Sequence, residues 1–174
     1  TLAWSVPVFA VMGSLPTYMD EEFHIPMGQA YCRGNFSHWD PKITTLPGLY
    51  LATTLFFNPL AGVYPSSTTP PICSPIVLRS INILFAILTA IISTRILDRL
   101  HPGAPRAAVS LRALSCVAFP LHFFYVSLYY TDPACVCFVL AMYERTLAKR
   151  RAAAAGFGAV SVMFRQTSII WVVF

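Results

Sequence analysis

Charge is what this sequence has least of. Asp, Glu, Lys and Arg make up 11% of its 174 residues, whereas a soluble domain carries about a quarter, and the few charges are gathered in clusters between long uncharged runs. That scarcity excludes a soluble receptor or a nucleic-acid binder, because neither a solvated surface nor a phosphate-binding face can be built from it. The five cysteines show no CxxC-type metal-ligand spacing, and the chain has no internal repeat. Before the opening apolar run there is no basic segment and after it no small-residue cleavage site, so it does not read as a cleaved signal peptide. With no initiator Met, and an apolar run still open at Phe174, the chain is expected to be a fragment.

What is abundant is apolar surface: hydrophobic residues make up 56% of the chain and aromatic residues 14%. About 20 apolar residues in a helix cross the hydrocarbon core of a bilayer. On that measure five spans are predicted, at residues 2–19, 76–97, 111–130, 132–147 and 153–174. The second reaches full length if Arg79 and Arg95 snorkel at its two ends. Residues 43–78 contain six prolines, at 47, 59, 65, 70, 71 and 75, a density that forbids one straight helix. That stretch leaves room for a short interfacial helix at 46–57 and a loop at 66–74. The expected fold is therefore all-α: a polytopic membrane protein with about five transmembrane helices, plus interfacial helices in a large first loop at 20–75.

Orientation follows from Lys and Arg, which are enriched in cytoplasmic loops. The predicted loops at 98–110 and 148–152, with their flanks, carry eight basic residues: Arg95, Arg99, Arg106, Arg112, Arg145, Lys149, Arg150 and Arg151. On the opposite side stand Arg33 and Lys42 alone. Eight against two puts the Asp20 loop outside the cytoplasm, and the net charge of +5 needs no nucleic-acid partner. Cys32 and Cys73 both fall on the non-cytoplasmic side, where a disulfide can form; spacing alone leaves their pairing open.

Chemistry-bearing residues gather on that same side. Asp20, Glu21 and Glu22 begin where the first predicted span ends, with His24 close behind. Carboxylates at the edge of an apolar pocket can act as general bases; an acidic cap on a helix end is the plainer reading. A divalent metal held by Asp20, Glu21 and His24 has no ligand motif to support it. Arg165 stands in an otherwise apolar run, followed by Gln166 and Thr167. An intramembrane Arg is a functional candidate by default, with Asp132, a backbone carbonyl or a lipid phosphate as its possible partners. Tyr129, Tyr130, Asp132 and Pro133 form a turn between spans, the tyrosines reading as interfacial anchors. Trp39 and Asp40 mark a loop corner where Trp39 could stack on a sugar ring. Asn35-Phe36-Ser37 matches the glycosylation acceptor pattern, but so close to the membrane that modification is not expected.

Several stretches carry a resemblance to a known family: Tyr18-Met19-Asp20-Glu21, Phe23-His24-Ile25-Pro26, Gln29-Ala30-Tyr31-Cys32, Trp39-Asp40-Pro41, residues 43–50 and Phe164-Arg165-Gln166-Thr167. In wording and order they resemble the dolichyl-phosphate-glucose alpha-1,2-glucosyltransferases of the endoplasmic reticulum. The resemblance covers nearly the whole chain and implies the N-terminal third to half of a multi-span GT-C glycosyltransferase. It implies an endoplasmic reticulum membrane protein with the Asp20 loop in the lumen, acting on dolichyl phosphate glucose and a dolichyl-diphosphate-linked oligosaccharide among membrane lipid. It further implies an inverting displacement with Asp20 as base, Glu21 as second choice, Arg165 as partner of the donor phosphate and His24 orienting the carboxylate or donating to the phosphate. Gln166, Trp39, Asp40, Thr44 and Thr45 are the remaining candidates for substrate contacts. No cofactor is firmly implied, and a divalent metal stays open. Glu22 and Met27 depart from the family's pattern, and a third adjacent carboxylate blurs the choice of base. The competing reading is a non-catalytic membrane protein, a transporter half or a channel-modulating partner, whose carboxylates and Arg165 form a buried ion pair. A transporter should place its ionisable groups near the midplane, often at broken helices in an inverted repeat; here the acidic cluster sits at a helix end.

Overall fold

The computed structural model describes residues 16–61 and 73–173. Among the described residues every regular element is helical: α1 (Glu21–Cys32), α2 (Gly48–Ala61), α3 (Pro75–Leu100), α4 (Arg106–Val117), α5 (Pro120–Val126), α6 (Asp132–Leu147) and α7 (Arg151–Phe164), then a 3-10 turn (Gln166–Ser168) and the short α8 (Ile169–Val173). The 26 residues of α3 reach about 39 Å at 1.5 Å per residue. It is the one helix among the described residues long and apolar enough to cross a membrane unaided. Pro75 opens it, where a missing N–H costs nothing, and Arg99 in its last turn complements the helix dipole.

Three expectations about the spans need correction. Residues 111–130 do not form one straight helix, because α4 and α5 meet at 66°. Pro120 opens α5 and holds Phe119 extended, at φ −54° and ψ 128°, since its ring disfavours a helical preceding residue. The predicted span 153–174 also breaks: α7 stops at Phe164, and Arg165 is extended at φ −144° and ψ 122°. Arg165 therefore stands at a break and not deep inside a helix, which frees its side chain to reach Asp132 and lets Gln166 turn toward Thr44. Nor does Arg79 snorkel; it is 1% exposed and paired with Glu21. The first predicted span, 2–19, lies outside the described residues except for 16–19, which are not helical, and most of the predicted loop 66–74 lies outside them too.

α6 packs between α3 and α7, α4 lies on α3, and α1 lies on α2. Leu78, Ile81 and Phe85 of α3, Leu49 and Tyr50 of α2, Ala134 of α6 and Phe164 of α7 are buried together. The ring of Phe85 meets Phe138 and Phe164 edge-on, and Phe138 stacks on Phe164 at 5.3 Å. Gly48 sets how closely α2 approaches α7: a Cβ there would stand 2.5 Å from the carbonyl oxygen of Met163. The far end of α1 is closed by Gly34 at φ +80°, a left-handed conformation that glycine adopts without strain. Its N–H bonds the Tyr31 carbonyl, and that of Asn35 bonds Ala30. A disulfide joins Cys32 to Cys73, and the Gln29 amide donates to the Cys73 carbonyl at 3.2 Å. The end of α1 is thereby tied to the start of α3.

Candidate functional site

Two neighbouring carboxylates, Asp20 and Glu21, meet opposite fates. The side chain of Glu21 is wholly buried, and four N–H groups converge on it. Arg79 binds in a fork, Nε to Oε1 at 2.9 Å and Nη2 to Oε2 at 2.8 Å. The Tyr129 N–H donates to Oε1 at 2.6 Å and the Tyr18 N–H to Oε2 at 3.1 Å. A carboxylate held by a fork-shaped guanidinium and two backbone donors is charge-compensated and positioned. Its lone pairs are engaged by these four donors.

Asp20 stands one residue earlier, just before the first turn of α1, and is exposed. Its Oδ2 accepts the Tyr130 hydroxyl at 2.7 Å. One turn, residues 127–131, serves both carboxylates, Tyr129 reaching Glu21 and Tyr130 reaching Asp20. Asn82 of α3 donates through Nδ2 to the carbonyls of Leu128 at 2.6 Å and Tyr130 at 2.9 Å, and Tyr129 donates its N–H to Glu21. The Tyr129 ring is buried against Gly28, where a Cβ would stand 2.8 Å from it, and its hydroxyl pairs with the Thr53 hydroxyl at 2.8 Å. These tyrosines are more than interfacial anchors: they bind the first loop to the later helices.

Behind Asp20 lies a small cavity of about 100 Å³ lined by Asp20, Phe23, His24, Lys42, Thr44 and Thr45. Four residues picked out from the sequence, Asp20, His24, Thr44 and Thr45, thus share one recess. His24 is buried, and its Nδ1 is 2.6 Å from the Tyr50 hydroxyl. Burial lowers its pKa below the usual 6.5, outweighing the opposite pull of Asp20, Glu21 and Asp132. Burial likewise raises the Tyr50 hydroxyl well above its usual range, so it keeps its proton. The Thr45 hydroxyl is buried without a hydrogen-bond partner and is available to a ligand in this recess. Lys42, whose ammonium lies 4.9 Å from the centre of the Phe23 ring, adds a cation that the sequence reading counted only as a loop charge.

The other candidates stand apart from the cavity lining. The edge of Trp39 meets Tyr50 at 6.3 Å, and Trp39 keeps 41% of its surface exposed. Asp40 accepts the Lys42 N–H at 2.9 Å and thereby shapes the turn that carries Lys42 and Thr44. Arg165 is ion-paired with Asp132, one of the partners open to it from the sequence, and remains 41% exposed. Gln166 donates to the Thr44 carbonyl at 2.6 Å, connecting the break after α7 to the cavity rim. Among the described residues no group of three His, Cys, Asp or Glu side chains is placed to hold a metal ion. Chemically, the recess offers an oriented carboxylate, a neutral imidazole, hydroxyls and one ammonium at the end of an apolar helix bundle.

The profile of the DIE2/ALG10 family matches residues 15–174, nearly the whole chain. This chain belongs to the DIE2/ALG10 family. It is 39% identical to an Arabidopsis thaliana protein over all of its own length and 36% of that relative's. It is also 37% identical to one from Drosophila melanogaster, covering 97% of the chain and 36% of the relative, and 38% identical to one from Homo sapiens, covering 90% and 34%. All three relatives carry the name Dol-P-Glc:Glc(2)Man(9)GlcNAc(2)-PP-Dol alpha-1,2-glucosyltransferase. The chain spans about a third of the length of these DIE2/ALG10 relatives. No solved structure matches it.

Proposed function

We propose that the protein to which this chain belongs transfers glucose from dolichyl phosphate glucose, in alpha-1,2 linkage, to a diglucosylated dolichyl-diphosphate-linked oligosaccharide. The reading rests first on family membership and on the name shared by its relatives. In the fold, it is the placement of Asp20 that supports it: an exposed carboxylate with one oxygen held by Tyr130, at the mouth of a recess that contains His24 and Lys42. The reaction is a single inverting displacement. Asp20 takes the proton from the acceptor's glucose 2-hydroxyl as that oxygen attacks the anomeric carbon, and dolichyl phosphate leaves from the opposite face. The leaving phosphate gains charge and is met by a cation. Arg165 and Lys42 are the candidates, Arg165 because its exposed part remains accessible beside Asp132, Lys42 because it lines the recess itself. Thr44, Thr45 and Gln166 line or brace the rim, and Trp39 offers a ring face for a sugar.

The layout that goes with this function is a GT-C type membrane domain in the endoplasmic reticulum, with residues 20–75 lumenal and the basic ends of α3 and α6 cytoplasmic. Five spans are proposed for residues 1–174, two of them broken, at 118–119 and at 165. Broken helices suit this role, because irregular backbone at membrane depth is tolerated where it lines a cavity. The non-catalytic alternative draws on the buried pair of Glu21 and Arg79, but that pair leaves Asp20 outside it. The test uses the full-length protein in cells lacking the endogenous enzyme, with lipid-linked oligosaccharides as the readout. Asp20→Asn should leave the precursor one glucose short at normal expression. If the wild-type protein itself fails to add the last glucose, the transferase reading is lost.

A further inference from the structure

At the opposite end of the bundle lies a second cavity, of about 330 Å³, between α3, α6 and α7. Its walls are mostly apolar, built from Leu88, Ile92, Phe138 and Phe157, and its charged lining is Arg95, Arg145 and Glu144. From Arg79 to Arg95 along α3 is sixteen residues, about 24 Å at 1.5 Å per residue, close to the thickness of the hydrocarbon core. If the pair of Arg79 and Glu21 marks one membrane face, Arg95 lies at the other. The cavity then occupies the leaflet on the basic side, with its cationic end at headgroup level.

The charge at that end is unbalanced. Glu144 is 3% exposed and already held by Arg99 at 3.2 Å and Arg145 at 2.9 Å. Asp98 is the other acid nearby, and it is exposed on α3. Against these two stand Arg95, Arg99, Arg145, Lys149, Arg150 and Arg151, at the ends of α3 and α6 and the start of α7. Arg95 is exposed at the mouth, and Arg145 spends one N–H on Glu144 and keeps others for a ligand. Two guanidinium forks above an apolar slot match a phosphate joined to a hydrocarbon chain. Basic pockets between helices on the cytoplasmic side are where anionic headgroups bind.

We propose that this cleft is a binding site for an anionic phospholipid, with the headgroup phosphate on Arg95 and Arg145 and one acyl chain along Leu88, Ile92, Phe138 and Phe157. The lipid would cement α3, α6 and α7 from the side opposite the glycosyl-transfer recess. The proposal does not depend on glucosyl transfer.

The test is native mass spectrometry of the full-length protein, delipidated in non-ionic detergent and titrated with phosphatidylinositol, phosphatidylcholine or water-soluble glycerophosphoinositol. Phosphatidylinositol should bind roughly tenfold tighter than phosphatidylcholine, and Arg95→Gln should lose about that factor, the value of one hydrogen bond to a charged group. Arg145→Gln should lose a similar factor, while Arg106→Gln, a basic residue of the same side outside the cleft, should lose none. Thermal stability without lipid, unchanged in Arg95→Gln, separates binding from folding. Equal affinity for the two phospholipids would overturn the proposal, as would an equal loss from Arg106→Gln, which would indicate surface attraction alone. Equal binding of the headgroup without its chains would remove the cleft from the argument. Retention of no lipid, with Arg95→Gln indistinguishable from wild type, would show the cleft filled by the protein's own later segments.

Discussion

The hydroxyl of Tyr130 donates to Oδ2 of Asp20 at 2.7 Å, joining residues 110 positions apart in the chain. A carboxylate at the start of α1 is thus aimed by the turn before α6. Removing the hydroxyl while keeping the ring should loosen the carboxylate without unfolding the loop. Tyr130→Phe is expected to lower kcat about tenfold, the worth of one hydrogen bond to a charged group, with little change in KM. Kinetics on the purified full-length protein with a synthetic acceptor decides it; a KM effect with kcat intact would make Tyr130 a substrate contact instead.

Glu21 and Arg79 form a buried pair, at 0% and 1% side-chain exposure. Breaking such a pair from one side leaves an uncompensated charge and costs about 3–5 kcal/mol. Glu21→Gln should therefore appear as a loss of folded protein, seen by size-exclusion yield and thermal unfolding. Glu21→Gln combined with Arg79→Met should recover part of it. A single variant that folds normally but transfers no glucose would return Glu21 to the chemistry.

The acid sensitivity of the loop should trace to His24. Its pKa is held below 6.5 by burial, so between 6.5 and that lower value the unfolded chain binds more protons than the folded one, and stability falls as pH falls. Above about 6.5 the contribution is fully present. His24→Gln, which keeps a hydrogen-bonding side chain near Tyr50 but cannot titrate, should flatten the decline of thermal stability below pH 6.5. Parallel curves for variant and wild type would assign the acid sensitivity elsewhere.

Cys32 and Cys73 are bonded across 41 residues. Closing a loop of that length is worth about 4 kcal/mol on the chain-entropy account, and the bond fixes α1 to the start of α3. Cys73→Ser should lower thermal stability by several degrees, and alkylation of the intact wild-type protein should leave both thiols unlabelled until a reductant is added. Labelling without reductant would place the pair in a reducing compartment and contradict a lumenal loop.

How far the sequence could be read varied with the range of the interactions involved. The segment 132–147, read as a span because the helices beside it need a return path, is helical over Asp132–Leu147 as α6, with Pro133 in its first turn. Pro120 was visible in the sequence, and the bend at 118–119 follows from its ring, but a long, mostly apolar run hid it. The break at Arg165 has no local cause. Its ties to Asp132 and of Gln166 to Thr44 are tertiary, and Asp132 was among the partners left open. Asp20 and Glu21 were indistinguishable as letters. What separates them is Arg79, 58 residues on, and a turn 108 residues on, which no window of sequence contains. Lys42 went unnoticed for the same reason: only the fold of the loop sets it beside His24.

The buried carboxylate of Glu21 also carries a consequence for how the chain is made. Ribosomes deliver Glu21 first, its guanidinium partner 58 residues later and its closest backbone donor 108 residues later. Until α3 and the turn at Tyr129 have formed, α1 holds a charge that it cannot bury, because ordering a carboxylate away from water without partners is too costly. The first loop therefore stays open at its acidic end, and the recess around Asp20 is assembled only after α3 and the turn at Tyr129 have been made.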